Sequence, residues 1–198
     1  HLAEYYAMIS HLDDRIGRII RAVRSRGLLD NTLFVLCGDN GLALGQHGLM
    51  GKQSLYDHSI RVPLLFAGPG IPKHTRRDAM VYLLDVFPTL CDAAGIPAPR
   101  AVEGRSLVPV MRGEPGRGAL YLAYTDKHRG VRTSRWKLIE YVVGGHHVMT
   151  QLFDLKADPW ETCNLAESPP HARTLAGLRR TLFRLRDMAL MPLILFWD

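Results

Sequence analysis

The stretch Thr32-Leu-Phe-Val-Leu-Cys-Gly-Asp39-Asn40-Gly-Leu-Ala-Leu-Gly-Gln-His47-Gly-Leu-Met-Gly-Lys52 determines the fold that we predict for this chain. Its apolar start predicts a strand, and a buried strand that ends in polar groups is a common way for an α/β sheet to build a site. Asp39 and Asn40 offer adjacent oxygen ligands that suit Ca²⁺ or Mg²⁺. Lys52 is a compact cation that can meet an anionic group. Taken alone, Asp-Asn-Gly also fits an ordinary turn.

A longer pattern is more specific than any one of these residues. It consists of Gly38-Asp39-Asn40-Gly41, Leu44-Gly45-Gln46-His47-Gly48, Gly51-Lys52, Tyr56 and Ser59-Ile60-Arg61-Val62-Pro63-Leu64. This order and spacing resemble the second half of the signature of the sulfatase family, which belongs to the alkaline-phosphatase-like superfamily. The resemblance implies that Asp39 and Asn40 are metal ligands and that Lys52 contacts the sulfate.

The role of His47 stays open at this point. We name it with Lys52 as a candidate catalytic residue, because it could form a polar wall of the pocket or carry a proton. The alternative is a histidine that is hydrogen-bonded within its loop. We assign no role to His58, and we expect Arg61 to brace the loop by pairing with a carboxylate. The pair His146-His147 lacks the spacing of a helical metal motif.

Composition narrows the classes of partner. The chain has 198 residues, 47% of them apolar, and a net charge of +6 that is spread without a run of like charges, so we predict no nucleic-acid partner. The longest apolar run, 189–197, is too short to cross a bilayer, and we predict no membrane partner. We expect a soluble protein, with the cytoplasm, the periplasm and secretion all open. Three cysteines without a Cys-x-x-Cys pair indicate no disulfide framework, and we expect Cys37 to lie in a strand as a small hydrophobe.

We predict an α/β fold in two units. Residues 1–117 resemble the C-terminal part of the sulfatase core, with a partial, mostly parallel sheet flanked by helices. Continuous apolar character predicts a strand covered on both faces, and Asp85 is expected to cap a helix. The predicted elements are a helix over 3–26, strands over 32–37 and 61–68, a short strand over 79–84 and a helix over 86–94.

Residues 118–198 are predicted to form a small α+β subdomain. Alternating segments separated by turn residues predict an antiparallel sheet, and a last amphipathic helix should cover it. The predicted strands are 119–125, 128–133, 135–143 and 149–153, and the helix is 171–188 with Leu175, Leu178, Leu182 and Leu185 on one face.

The resemblance also implies a nucleophile that this chain lacks. Sulfatases carry Cys/Ser-x-Pro-x-Arg, whose first residue becomes formylglycine, together with two further metal-binding aspartates. No cysteine here begins that motif, and Ser168-Pro169-Pro170-His171 does not match it. We therefore expect a C-terminal fragment of a sulfuric-ester hydrolase that is inactive alone, uses Ca²⁺ or Mg²⁺ in the intact enzyme, and acts on a small-molecule or sugar sulfate ester.

The expected macromolecular partner is the missing N-terminal half, since the chain starts directly in an amphipathic pattern. An exposed sheet edge and the apolar face of the first helix also predict self-association. Two alternatives remain open: a related phosphodiester or phosphonate hydrolase, and a non-catalytic domain derived from the same fold.

Overall fold

The computed structural model describes residues 2–190, and the predicted apolar run 189–197 lies mostly outside that range. Its helices are α1 Leu2–Ser25, α2 Asp57–Ile60, α3 Val86–Ala93, α4 Val108–Met111 and α5 Ala172–Leu190. Its strands are β1 Phe34–Cys37, β2 Ala43–Leu44, β3 Met50–Gly51, β4 Leu64–Ala67, β5 Leu120–Tyr124, β6 His128–Arg132, β7 Trp136–Val143 and β8 His146–Asp154. None of the helices in this range is long and apolar enough to cross a membrane.

The first helix forms where helical periodicity predicted it. Gly27 follows α1 with a φ of +69°, a left-handed conformation that ends helices and that glycine adopts without strain. No residue of α1 is buried, and its apolar side chains Leu2, Tyr6, Met8, Ile9, Leu12 and Ile19 are all exposed. Ile16, Ile20 and Val23 are half-buried, so much but not all of the apolar face of α1 is uncovered by the rest of the described chain.

The prediction of a parallel sheet is wrong for the described residues. β1 pairs with β4 in antiparallel register from Phe34↔Ala67 to Cys37↔Leu64. A parallel connection needs a crossover, usually through a long helix, whereas residues 38–63 return the chain to the end of β1 where it left. There the Gly38 N–H donates to the carbonyl of Pro63 at 3.3 Å, so β4 must run backwards along β1.

The coverage predicted for the first strand is also wrong. Phe34 and Val35 are half-buried, while Leu36 and Cys37 are exposed, so Cys37 lies in a strand but is not a buried hydrophobe. An apolar run indicates that a strand can be buried, but the run does not identify which other elements, if any, pack over that strand. Residues 79–84 form no strand, and Leu83–Asp85 form a 3₁₀ turn instead.

The predicted antiparallel sheet is present, in the order β5-β6-β7-β8. One face packs on α5 through a core of Val131, Leu138, Leu152, Leu178 and Leu182, with Leu175 and Leu185 at its edge. Ile139 and Phe153 point to the opposite face and pack against Leu55 and Tyr56, which follow the candidate site loop. Because successive residues of a strand face opposite sides, β7 and β8 connect the helix side of the sheet to the site side.

Asp85 precedes α3, as expected for a cap, but its side chain makes no capping bond to that helix. The carboxylate is fully buried and turns back to accept the N–H groups of Tyr82 and Arg105, both at 2.8 Å. Arg117 also donates to both of its oxygens. The 3₁₀ turn before α3 directs the carboxylate backwards, so Asp85 joins three separate segments rather than capping one helix.

Candidate active site

The segment after β1 brings Asn40 and Lys52 into contact. The Nζ of Lys52 donates to the Oδ1 of Asn40 at 2.8 Å, although the residues are 12 positions apart. The reason is local, because β2 and β3 pair as a small hairpin with Ala43 opposite Gly51 and fold the segment back on itself. The amide group of Asn40 is fixed by a second bond from its Nδ2 to the carbonyl of Gly41 at 3.0 Å.

Asp39 lies directly beside this contact at the end of β1. Its side chain is exposed and makes no hydrogen bond or ion pair with any residue from 2 to 190. The oxygens of an exposed carboxylate that no residue from 2 to 190 engages are available to a positively charged ligand. The structure thus brings Asp39, Asn40 and Lys52 to one end of the sheet.

Gly41 shows how tightly this loop packs. A Cβ at this position would lie 1.9 Å from the carbonyl oxygen of His58, and the Gly41 N–H donates to the carbonyl of Ser59 at 2.8 Å. Only glycine allows the two backbones to approach this closely. Asn40 is therefore held against the segment that contains α2.

His47 is fixed by two contacts and a strained backbone. Its φ of +56° is unusual for a residue other than glycine. The imidazole stacks on the ring of Tyr56, with centroids 3.9 Å apart and planes 4° apart. Its Nε2 lies 3.1 Å from the carbonyl oxygen of Trp160, which assigns the Nε2–H as donor. The contacts are those of a hydrogen-bonded loop histidine, and its ring still remains exposed.

A second histidine lies nearby without having been assigned a role. The His58 ring centroid is 5.6 Å from that of His47, and its Nε2 is 3.2 Å from the hydroxyl of Ser54. Burial, and then the charges of His47 and Lys137, lower the pKa of His58. No sequence signal predicted these contacts of His58, because folding brings His47 and Lys137 to it from other segments.

Charged side chains brace the segment behind the site. Lys137 is fully buried, and its Nζ lies 2.5 Å from Asp57 Oδ1 and 2.6 Å from Glu161 Oε1. Arg132 contacts Asp57 at 3.3 Å. The brace expected from Arg61 exists only as a 3.9 Å pair with the same carboxylate, with the Arg61 side chain 67% exposed. The burial of Lys137 was not predicted from the sequence, because a lysine in a strand with alternating polarity is normally expected on the solvent-exposed face.

His128 and His147 lie in the four-stranded sheet, away from this loop. His147 contacts Glu140 at 2.8 Å and Thr150 at 2.9 Å, while His128 packs its ring against Tyr141. Within the part of the chain that the structure describes, no group of three or more His, Cys, Asp or Glu residues could hold a metal ion.

Comparison with known proteins decides the family. Residues 45–188 match the family model described as N-sulphoglucosamine sulphohydrolase, C-terminal. Arylsulfatase K of Bos taurus is 37% identical over 182 residues, which cover 85% of this chain and 34% of the relative. The chain belongs to the sulfatase family. It spans about a third of the length of the curated relatives that it matches.

Solved structures agree with this family. One described as a complex with its substrate D-glucosamine-2-N,6-O-disulfate has a TM-score of 0.83 and 30% identity, over 90% of this chain and 39% of that one. The phosphonate monoester hydrolase of Agrobacterium radiobacter has a TM-score of 0.82 and 28% identity, over 93% of this chain and 40% of that one. The chain is thus similar to hydrolases of both sulfate and phosphonate esters.

Asp39 and Asn40 carry oxygen atoms of the kind that Ca²⁺ and Mg²⁺ take as ligands. Asp39 contributes a carboxylate without a partner among residues 2–190, and Asn40 contributes an amide oxygen that also accepts the hydrogen bond from Lys52. Ca²⁺ takes about six to eight oxygen ligands, so these two residues fill a minority of its coordination shell.

Proposed function

We propose that this chain is the C-terminal part of a sulfuric-ester hydrolase in which Asp39 and Asn40 bind a divalent cation and Lys52 binds the sulfate. The observation that carries the proposal is the 2.8 Å contact between Lys52 Nζ and Asn40 Oδ1 beside the exposed Asp39. The membership of the sulfatase family and the likeness to a structure described with a sugar disulfate support it.

The chemistry requires such an arrangement. A sulfate ester is already an anion, so a nucleophile approaches it only where positive charge offsets the charge of its oxygens. Lys52 supplies one cation with a compact, strongly hydrated head group. The metal supplies the second when bound, and Asp39 lowers the free energy of holding it there. The substrate class that follows is a sulfate ester of a small molecule or a sugar.

His47 has a narrower role in this proposal. Its Nε2–H donates to the carbonyl of Trp160, and its Nδ1 makes no hydrogen bond to any residue from 2 to 190. The ring therefore forms a polar wall beside the loop, and it can exchange a proton only through Nδ1.

This chain alone is proposed to be inactive. It contains no Cys/Ser-x-Pro-x-Arg motif, and two ligands bind Ca²⁺ weakly. The proposed partner is an N-terminal portion of the same protein that supplies the formylglycine nucleophile and the other metal ligands. The exposed apolar face of α1 is the proposed surface for that partner, with self-association as the alternative.

A phosphonate or phosphodiester hydrolase is the second candidate. The specific observation in its favour is the structural likeness to the phosphonate monoester hydrolase of Agrobacterium radiobacter. Phosphoryl transfer also depends on positioning and on cations that neutralise developing charge, so the same residues serve both reactions.

Complementation tests these candidates. The chain is co-expressed with the N-terminal portion of choline-sulfatase from Rhizobium meliloti, one of its relatives, and with an enzyme that generates formylglycine. The pair is assayed on an aryl sulfate and on an aryl phosphonate ester. The two halves of that relative, split at the matching position, are the positive control.

We expect sulfate turnover by the pair that requires Asp39 and Lys52, and no turnover by the chain alone. Turnover confined to the phosphonate would favour the second candidate. If the positive control works and the pair hydrolyses neither ester, the non-catalytic alternative holds. Sulfate turnover by the isolated chain contradicts its proposed inactivity.

A further inference from the structure

The buried Lys137 lies at the meeting point of two segments that hold His47. His47 stacks on Tyr56 and bonds to the carbonyl of Trp160. The residue after each of these partners is a carboxylate, Asp57 and Glu161, and both carboxylates bind the same ammonium group. Two segments therefore contact His47, and the ammonium group of Lys137 joins these segments by pairing with one carboxylate from each.

The three charged groups form a unit that has little contact with solvent. Lys137 is 0% exposed and Glu161 is 3% exposed. The second carboxylate oxygen of Glu161 accepts the backbone N–H of Asp57 at 2.6 Å, so the two segments are also joined directly. Among residues 2–190, Lys137 is the only cation that pairs with Glu161.

The backbone conformation of Glu161 indicates that its contacts with Lys137 and Asp57 hold the turn firmly. Its φ of +59° is a left-handed conformation that costs a non-glycine residue free energy. Such a conformation persists where the surroundings fix it, and here the ion pair and the bond to Asp57 do so. Without Lys137, Glu161 would be an unpaired buried charge, and the turn that presents the carbonyl of Trp160 would rearrange.

We propose that Lys137 is a positioning residue of the candidate active site, which sets the place of His47 by binding Asp57 and Glu161 together. Lys137 does not touch His47. It acts through residues 56–57 and 160–161, and it is contributed by the four-stranded sheet rather than by the site loop. The inference rests on the proposed function only for the statement that this loop is the active site.

The stacking of His47 on Tyr56 provides a direct readout. Ring protons above an aromatic face resonate upfield, so the imidazole proton signals of His47 report whether the stack is intact. They are recorded by NMR on the full chain with labelled histidine, and His47→Gln assigns them. The variants are Lys137→Met, Glu161→Gln and the double variant.

Arg179→Met is the matched control. Arg179 of α5 pairs with Glu140 at 2.7 Å on the opposite face of β7, so this change also removes one cation from a partly buried pair that involves the same strand. It should destabilise the sheet without moving the His47 signals. This separates positioning from a general loss of stability.

We expect Lys137→Met to move the His47 signals downfield, towards the positions of an unstacked imidazole. Glu161→Gln keeps an acceptor for the Asp57 N–H and should therefore shift the His47 signals less, in the same direction. If Lys137→Met does not fold, the shift in Glu161→Gln tests whether the ion pair positions His47. The double variant should shift no further than Lys137→Met alone, because both changes break one unit. Folded variants with unmoved His47 signals, or an equal shift in Arg179→Met, would overturn the proposal. The NMR measurement needs no substrate, so it can fail or succeed independently of the complementation assay that tests the proposed function.

Discussion

Asp85→Asn tests the buried junction at which Asp85 joins the segments of Tyr82, Arg105 and Arg117. Asp85 is 0% exposed and accepts bonds from Tyr82, Arg105 and Arg117, with the Arg117 side chain only 14% exposed. Burial opposes the charged form, but the bonds from Arg117, Arg105 and Tyr82 outweigh it and lower the pKa of Asp85. The side chain is therefore a carboxylate at neutral pH.

The size of the effect follows from this geometry. Removing one partner of a buried ion pair costs roughly 3–5 kcal/mol, because the other charge stays buried and unpaired. Asparagine keeps one acceptor oxygen but turns an NH₂ group towards donors. We therefore expect a loss in the free energy of unfolding near the lower end, about 3 kcal/mol.

The assay is urea unfolding followed by circular dichroism, comparing transition midpoints at equal slope. Asp78→Asn is the control, because its pair with Arg76 at 3.0 Å has both side chains 80% exposed. Exposed pairs contribute little to stability, so this midpoint should barely move. Equal urea midpoints for the Asp85 and Asp78 variants would refute this reasoning, because they would show that the burial of an ion pair does not determine how much stability its loss removes.

Three further predictions concern the sheet and α1. The pKa of Glu140 is lowered, since burial is outweighed by bonds from Arg179, Thr150 and His147. The stability that Glu140 contributes is therefore present above its ordinary pKa and is lost as the pH falls through its lowered pKa. In Glu140→Gln, the urea midpoint should fall less steeply as the pH is lowered into the acid range. Midpoints of the variant and the wild type that fall in parallel with pH would contradict this. Leu182→Ala should cost about 2–5 kcal/mol, since Leu182 is 3% exposed in the core, whereas Phe183→Ala, 50% exposed, should cost far less. Ile9→Asp in α1 should reduce self-association in sedimentation velocity without lowering the melting temperature, and unchanged association would show that this face is not the contact.

Local pattern predicted the parts of the fold that depend on neighbours in sequence. The alternation of β5 to β8 and the leucine face of α5 were predicted because period and burial coincide there. The direction of β4 was mispredicted, because an apolar run does not identify its partner. The bracing by Lys137 could not be predicted either, since its contact with Asp57 joins residues 80 positions apart.

The candidate site divides in the same way. The resemblance to sulfatases implied that Asn40 and Lys52 act in one site, and the structure puts Lys52 against Asn40. The roles of Asp39, Asn40, Lys52 and His47 in binding and catalysis stay predictions. The partners of His47 could not be predicted, because Trp160 lies 113 positions away in another segment.

The central claim is that Asp39, Asn40 and Lys52 converge on one site, where Asp39 and Asn40 bind a cation and Lys52 binds the sulfate. The most direct test is paramagnetic broadening by Mn²⁺, which prefers the same oxygen ligands as Ca²⁺ and Mg²⁺ and can be added at concentrations that reveal weak binding. Amide signals are recorded for the wild-type chain, for Asp39→Asn and for Glu140→Gln, a control carboxylate in the sheet.

We predict that signals of 38–41 and of 51–53 broaden together, that Asp39→Asn abolishes the broadening, and that Glu140→Gln leaves it unchanged. Broadening of 38–41 without 51–53, or broadening that persists in Asp39→Asn, would contradict the account.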